Sequence, residues 1–111
     1  MRDHGENAER IRALNGQVTT AIIYAEHLTP ESPEAIRAFA DVSRIEEALA
    51  SLLPYDCAEG IAARTGAITA AIDAQDFTRA KLLIERYRSG APEDVMAALD
   101  SLDEENRSRF G

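Results

Sequence analysis

Apolar residues recur every three or four positions along most of the chain, and this spacing restricts the fold more than any other feature. A period near 3.6 residues places such side chains on one face of an α-helix. The first segment of this kind covers residues 6–28, and its apolar stripe consists of Ile11, Leu14, Val18, Ile22, Ala25 and Leu28. No segment shows the alternation of apolar and polar residues that marks a half-buried β-strand. The sequence therefore predicts an all-α protein.

Prolines and helix-capping residues divide this pattern into five predicted helices. Pro54 cannot continue a helix, whereas Ser32 and Asp76 are residue types that favour the N-terminal cap of one. Gly90 suits the position just after a helix end. After the first helix, the predicted helices cover approximately residues 33–53, 57–74, 77–89 and 92–102.

The connections between these helices are two to five residues long, which favours antiparallel neighbours in a helix bundle. We expect the 111 residues to form a single compact domain, 1–111, in which residues 1–5 and 104–111 fray. The first two helices are long and should form an antiparallel hairpin. A first helix of ~35 Å is long beside the ~13 Å radius of gyration of such a domain, so we predict that it overhangs the bundle or pairs in a homodimer.

An excess of acidic residues restricts the partners of the chain. Twenty Asp and Glu residues against twelve Lys and Arg residues give a formal net charge of −8. This charge disfavours nucleic acid and anionic membranes, and it favours another protein with a basic surface. Cys57 is the single cysteine, so an intrachain disulfide is excluded, and no apolar stretch of 18 residues occurs. We expect a cytoplasmic protein.

The fourth and fifth predicted helices differ in charge. The fourth carries the basic residues Arg79, Lys81, Arg86 and Arg88. The segment that follows it carries the acidic residues Glu93, Asp94, Asp100, Asp103, Glu104 and Glu105. Opposite charges on adjacent helices form surface ion pairs, each of which contributes little stability. We expect these ion pairs to form within one chain.

Few residues offer catalytic or metal-binding chemistry. His27 lies in the last turn of the first helix, where a cationic side chain complements the helix dipole. Cys57 lies near a helix N-terminus, a position that can activate a thiol, but we interpret it as a buried or bystander residue. Glu46 and Glu47 lack the Glu-x-x-His spacing of di-iron helix bundles. We therefore predict no enzyme activity, no cofactor and no metal site.

A stretch of the third predicted helix resembles the core of a helix-turn-helix, since residues 61–67 read IAARTGA and are followed by Ile72. The resemblance implies DNA binding by a helix-turn-helix at residues 58–75, with a turn at Gly66 and a recognition helix at residues 68–75. Contacts to bases and phosphates need Arg, Lys, Asn or Gln, and Gln75 is the one such residue in that recognition helix. A DNA-binding regulator is therefore the alternative function.

The leading prediction is a non-catalytic interaction protein, an inhibitor or adaptor, that forms a homodimer and binds another protein. It depends on the long amphipathic helices, the acidic charge and the shortage of catalytic groups. We expect the partner to contact the outer face of the first two helices, at Ile23, Tyr24, Ile36 and Phe39. A further alternative is a subunit of a larger enzyme assembly, whose pocket would be formed by the second-helix glutamates, Tyr24, His27 and Cys57.

Overall fold

The computed structural model describes the backbone of residues 2–110 and the side chains of residues 7–110. The described backbone contains no strand and forms five helices, α1 (Arg2–Glu26), α2 (Pro33–Ala50), α3 (Ala58–Asp73), α4 (Phe77–Arg88) and α5 (Glu93–Phe110). The predicted all-α class and the predicted number of helices are confirmed. Within the described residues, no helix combines the length and the apolar composition needed to cross a bilayer.

The helices pack in chain order, each against the next, and α3 also contacts α5. The hairpin predicted for the first two helices is formed by α1 and α2. In the described part of the chain, the α1 backbone approaches no helix other than α2, so α1 lies at an edge of the molecule. The molecule measures 47 × 32 × 17 Å. The 25 residues of α1 span ~37 Å, less than the longest dimension, so the length of α1 alone does not require a partner helix.

Two helices begin at side chains that cap them, as predicted. Ser32 Oγ accepts a hydrogen bond from Ala35 N at 3.1 Å, and Asp76 Oδ1 accepts one from Arg79 N at 3.1 Å. Each cap satisfies a backbone amide that has no acceptor within its helix. After the end of α4, Gly90 has a φ of +78°, the left-handed conformation that favours glycine at this position.

Other helix ends differ from the predicted ones. α2 ends at Ala50 because the amides of Leu52 and Leu53 donate to carbonyl oxygens three residues back, at 3.0 and 3.2 Å. Such bonds tighten the last turn and end the α-helical pattern. α1 begins at Arg2, inside the segment of residues 1–5 that we expected to fray. Met1, Gly111 and the side chains of residues 2–6 lie outside the described residues.

α5 continues as a helix through residues 104–110, where we expected fraying, and three contacts connect this segment to the rest of the molecule. Asn106 is buried, and its Nδ2 donates to the Phe77 carbonyl oxygen at 3.1 Å. The centroid of the Phe110 ring lies 5.5 Å from that of Phe77. Arg109 Nη1 pairs with Asp73 Oδ1 at 3.2 Å. A polar tail thus becomes helical because α3 and α4 supply partners for it.

Two clusters of buried side chains form the core. The larger lies among α2, α3, α4 and α5, and its large members are Leu49, Ile68, Ile72, Leu83, Ile84 and Leu99. The smaller lies among α1, α2 and α3 and consists of Val18, Ala25, Ala38, Val42 and Ala70. Alanines in the smaller cluster let the helix backbones approach closely. Since burial of each large aliphatic side chain contributes about 1.5–3 kcal/mol, most of the hydrophobic stability comes from the larger cluster.

One buried hydroxyl connects α2, α3 and α4. Ser43 is fully buried, and its Oγ donates to the Ala67 carbonyl oxygen at 2.8 Å and accepts from Arg79 Nε at 3.0 Å. Because the hydroxyl both donates and accepts, its burial leaves no unmade hydrogen bond. The same contact holds Arg79 beside Glu47, whose Oε1 lies 2.6 Å from Arg79 Nη2.

Candidate functional site

The four residues predicted to contact a partner differ in exposure and in the grooves that they line. Ile23 and Tyr24 are exposed, with 53% and 59% of their surface accessible to solvent. Ile36 and Phe39 are half-buried on α2. Tyr24 and Phe39 line two different grooves, and Ile23 and Ile36 line neither of them. The role of these residues in binding stays a prediction.

The structure does not bring His27 and Cys57 together. His27 follows α1, and its Nδ1 lies 2.7 Å from the Ile23 carbonyl oxygen. Cys57 precedes α3, and its Sγ caps that helix by accepting a hydrogen bond from Gly60 N at 3.3 Å. The two residues therefore lie at opposite ends of α2, whose 18 residues span ~27 Å. This separation removes the geometric basis for a Cys57–His27 catalytic pair.

α3 runs without interruption through the position at which a helix-turn-helix needs its turn. The turn that the helix-turn-helix resemblance implied at Gly66 is therefore absent, and residues 58–73 form the single helix predicted for residues 57–74. Gly66 instead makes room for Glu46 of α2, since a Cβ atom at Gly66 would collide with the Glu46 carboxylate. Buried residues lie on several sides of α3, which packs against α2, α4 and α5.

Basic residues of α4 pair with carboxylates of the same chain. Arg88 Nη1 lies 2.6 Å from Asp100 Oδ1 of α5, which confirms that the charges of α4 and α5 pair within the chain. Arg79 and Arg86 differ from the prediction, because they pair with Glu47 of α2, at 2.6 and 2.5 Å. α4 therefore carries ion pairs on two sides, one toward α5 and one toward α2.

A groove of about 160 Å³ is formed by residues of α1, α2 and α3. We call it the acidic groove, and it is lined by Ile22, Glu26, Phe39, Val42, Glu46, Gly66, Thr69, Ala70 and Asp73. Its apolar part adjoins the smaller core cluster, of which Val42 and Ala70 are members. Three carboxylates and no basic side chain belong to its lining. The groove therefore offers apolar contact and negative charge side by side.

Glu46 differs from the other two carboxylates of the acidic groove. Burial raises the pKa of Glu46 from 4.5 to about 7, and no ion pair with residues 7–110 offsets this effect. Asp73, in contrast, pairs with Arg109, and Glu26 is exposed to solvent. A half-buried carboxylate of this kind is stabilised in its charged form by a cation that approaches it.

The carboxylates of the acidic groove are not arranged as metal ligands. Within the described side chains, no group of three or more His, Cys, Asp or Glu residues is placed to hold a metal ion.

A second groove, of about 620 Å³, lies between α1 and α2 and has a different chemistry. We call it the outer groove, and it is lined by Ala13, Gly16, Gln17, Thr20, Ala21, Tyr24 and Ile45. None of these residues carries a charge at neutral pH. The exposed ring of Tyr24 is the largest side chain of this lining.

A pocket of about 290 Å³ lies between the α2–α3 connection and α4. We call it the arginine pocket, and it is lined by Glu47, Ala50, Ser51, Tyr55, Arg64, Arg86, Tyr87 and Ser89. The Cζ atom of Arg64 lies 4.1 Å from the centroid of the Tyr55 ring and 5.7 Å from that of Tyr87. Arg64 Nη1 and Nη2 donate to the carbonyl oxygens of Gly60 and Leu53, at 3.0 and 2.9 Å. Stacking and hydrogen bonding therefore fix this guanidinium in place.

Tyr87 brings a buried hydroxyl to the arginine pocket. Its backbone carbonyl oxygen accepts a hydrogen bond from the Tyr55 hydroxyl. The Tyr87 hydroxyl and Arg64 Nε are both buried, and neither has a hydrogen-bond partner among the described residues. Burial raises the pKa of Tyr87, and the Glu47 carboxylate raises it further, against the opposing effect of nearby arginines. Each buried polar group without a partner costs about 1–3 kcal/mol.

Glu47 is the one carboxylate in the lining of the arginine pocket. Burial acts to raise its pKa, but hydrogen bonds from Arg79 and Arg86 outweigh burial, and the pKa of Glu47 is lowered. One carboxylate oxygen is bound to each guanidinium. Glu47 is thus a charged group with each oxygen already bound to an arginine, and Arg86 retains further N–H donors.

The sequence contains one signal of the arginine pocket. Arg64 is the single basic residue of α3, a helix whose other side chains are mostly small or apolar. A long cation in such a helix needs partners for its charge and for its N–H groups. The identity of those partners depends on tertiary structure, because the contact of Tyr55 with Tyr87 joins residues 32 positions apart.

The chain matches no protein-family model, no curated protein and no solved structure.

Proposed function

We propose that this protein is a non-catalytic adaptor or inhibitor that binds a basic segment of another protein in the acidic groove. The observation that carries the proposal is Glu46, a half-buried carboxylate with a pKa of about 7 and no ion-pair partner among residues 7–110. A Lys or Arg side chain of the partner supplies the opposite charge and stabilises the ionised form of Glu46.

The acidic groove suits both parts of a basic side chain. Lys and Arg carry a charged tip on an apolar stem. The half-buried Ile22 and Phe39 offer an apolar surface to the stem, while Glu26 and Glu46 attract the tip. Gly66 has no side chain, and the Glu46 carboxylate occupies the space that a Cβ atom there would need. The lining therefore matches the chemistry of Lys and Arg better than that of a purely apolar or acidic residue.

The size of the groove sets how much of the partner it holds. Its lining on α2 extends from Phe39 to Glu46, two helical turns or ~10 Å. A groove of this length holds one or two side chains of the partner. Where it holds two, they are basic residues about one helical turn apart in the partner segment. The net charge of −8 adds long-range attraction, which raises the rate of association with a basic partner.

The proposal is tested by fluorescence anisotropy with a labelled amphipathic helical peptide that has Leu on one face and Lys and Arg on its flanks. A peptide with Glu in place of each Lys and Arg is the control. We expect saturable binding of the basic peptide at pH 8 and low salt, and none of the acidic peptide. Equal affinity for the two peptides would contradict the proposal.

Two exposed threonines provide matched variants for locating the site. Thr69→Arg places a cation at the acidic groove and should abolish peptide binding. Thr78→Arg adds the same charge at an exposed position of α4 outside this groove and should leave the affinity within about twofold, since a single remote surface charge is largely screened. If Thr69→Arg binds the basic peptide as tightly as the wild type, the peptide does not occupy the acidic groove.

Self-association is a second proposal, and it concerns the outer groove. The lining of this groove carries no charge, so two copies of this acidic chain can meet there without direct repulsion between like charges. The exposed Tyr24 ring provides apolar contact area for such a homodimer. Sedimentation velocity tests this proposal. We expect a dimer for the wild type and a monomer for Tyr24→Lys, and a monomeric wild type at 100 µM or more would exclude it.

A further inference from the structure

We propose that the arginine pocket binds a small oxyanion, a carboxylate or phosphate group, between the Tyr87 hydroxyl and the guanidinium groups of Arg64 and Arg86. This site is separate from the acidic groove. Its proposed ligand is an anion, whereas the ligand proposed for the acidic groove is a cation. The proposal therefore does not depend on the function proposed above, and either of them can fail alone.

Two buried donors point to a ligand of this class. Only 7% of the Tyr87 surface is accessible to solvent, and its hydroxyl has no hydrogen-bond partner among the described residues. Arg64 Nε is likewise buried and without a partner, although both terminal nitrogens of this guanidinium are engaged by carbonyl oxygens. An oxyanion accepts from hydroxyl and guanidinium donors at the same time, and such charge-assisted bonds are the stronger kind.

The charges around the arginine pocket favour an anion despite the acidity of the whole chain. Arg64 and Arg86 line the pocket, and Glu47 is the one carboxylate of the lining. Each oxygen of Glu47 is already bound to a guanidinium, Oε1 to Arg79 at 2.6 Å and Oε2 to Arg86 at 2.5 Å. The lining therefore carries net positive charge, and its two buried groups without a partner, the Tyr87 hydroxyl and Arg64 Nε, can both donate.

The mouth of the pocket can admit such a ligand. The Arg86 side chain is 60% exposed and is held by one contact to Glu47, so its remaining N–H groups face solvent or the pocket. Ser51 and Ser89 add hydroxyl groups to the lining. The volume of about 290 Å³ exceeds that of a phosphate ion, which leaves room for a small organic group attached to the oxyanion.

The test is a titration of the ¹⁵N-labelled full chain with sodium phosphate and, separately, with sodium acetate, at pH 7. Ionic strength is held constant with sodium chloride, and amide chemical shifts are recorded. We expect saturable shifts for amides around Tyr55, Arg64 and Tyr87 with at least one of the two anions. The phosphate and acetate arms show whether a tetrahedral or a planar oxyanion is preferred.

Three variants decide whether the arginine pocket is the site. Tyr87→Phe removes only the hydroxyl and should weaken binding roughly tenfold, because a hydrogen bond to a charged group is lost. Arg86→Gln removes the exposed guanidinium of the pocket and should weaken binding to a similar degree. Arg37→Gln removes the same charge from an exposed site on α2 outside the pocket and should leave the affinity unchanged.

Several results would overturn the proposal. These are shifts that rise linearly without saturation, equal shifts with sodium chloride alone, and unchanged affinity in both Tyr87→Phe and Arg86→Gln. Each would show that the arginine pocket does not select an anion. If Tyr87→Phe does not fold, Arg86→Gln measured against Arg37→Gln decides the matter.

Discussion

Glu46 and Glu47 are adjacent in the sequence, but they lie in opposite electrostatic environments. Glu46 faces Gly66 in the acidic groove, where burial raises its pKa to about 7. Glu47 lies beside α4, where hydrogen bonds from two arginines outweigh burial and lower its pKa. Successive residues of a helix point about 100° apart, so neighbouring glutamates face different helices. This geometry separates two residues that the sequence presents as a pair.

Replacement of Glu46 should stabilise the protein at high pH and not at low pH. The folded state binds the Glu46 proton more tightly than the unfolded state, so stability falls as the pH rises from about 4.5 to about 7. Glu46→Gln removes this loss of stability and should raise the free energy of unfolding at pH 8 by about 1–2 kcal/mol. This value is smaller than the full pKa shift of Glu46 implies, because the carboxyl group is partly exposed to solvent. Urea unfolding at pH 4 and pH 8 measures the difference, and an equal effect at both values would contradict the assigned pKa.

Replacement of Glu47 should have the opposite sign. The lowered pKa means that Glu47 stabilises the folded state above pH 4.5, and that this contribution is lost as the pH falls through the folded-state pKa. Glu47→Gln should lower the free energy of unfolding at pH 7 by about 1–2 kcal/mol, since two charge-assisted hydrogen bonds are weakened. The difference in the free energy of unfolding between Glu47→Gln and the wild type should be smaller at pH 3. Glu104→Gln removes the same charge from an exposed position of α5 and serves as the control for net charge.

The helices could be predicted from the sequence because their signals are local. Ser32 and Asp76 cap helices by contacts within three residues, and Gly90 marks an end by its own conformation. The length of α5 could not be predicted in this way. Residues 104–110 are polar, and their helix is supported by Phe77 and Asp73, which belong to other elements.

The candidate sites depended on contacts that no local pattern contains. The pKa of Glu46 follows from its burial beside α3, and Gly66 of α3 lies 20 positions further along the chain. The arginine pocket requires contact between Tyr55, which lies in the α2–α3 connection, and Tyr87 of α4. Hydrophobic spacing could indicate which faces of the helices are buried, but it could not indicate which polar residues would meet between them.

Two glycines should respond in opposite ways to the same substitution. Gly16 lies exposed in α1, and a Cβ atom there would meet nothing within 4 Å, so Gly16→Ala should stabilise the protein by about 1 kcal/mol through helix propensity. A Cβ atom at Gly60 would collide with the backbone carbonyl oxygen of Pro54. Gly60→Ala should therefore destabilise the protein by about 2–3 kcal/mol. Urea unfolding of both variants tests the pair, and changes of the same sign would show that α3 does not approach Pro54 so closely.

Arg64 should be replaceable by lysine only at a cost in stability. Its guanidinium donates to Gly60 and Leu53 and stacks on the Tyr55 ring, and a lysine ammonium cannot reproduce the planar stacking or both hydrogen bonds. Arg64→Lys should lower the free energy of unfolding by about 2 kcal/mol, while Arg37→Lys at an exposed site of α2 should change it by less than about 0.5 kcal/mol.

A double-mutant cycle with Tyr55 separates the stacking contact from the hydrogen bonds of Arg64. Tyr55→Leu removes the ring, so the losses caused by Arg64→Lys and Tyr55→Leu should be less than additive by about 0.5–1 kcal/mol. Additive losses would mean that the two side chains stabilise the α2–α3 connection independently. In that case the 4.1 Å separation between Arg64 Cζ and the centroid of the Tyr55 ring would reflect proximity without net attraction.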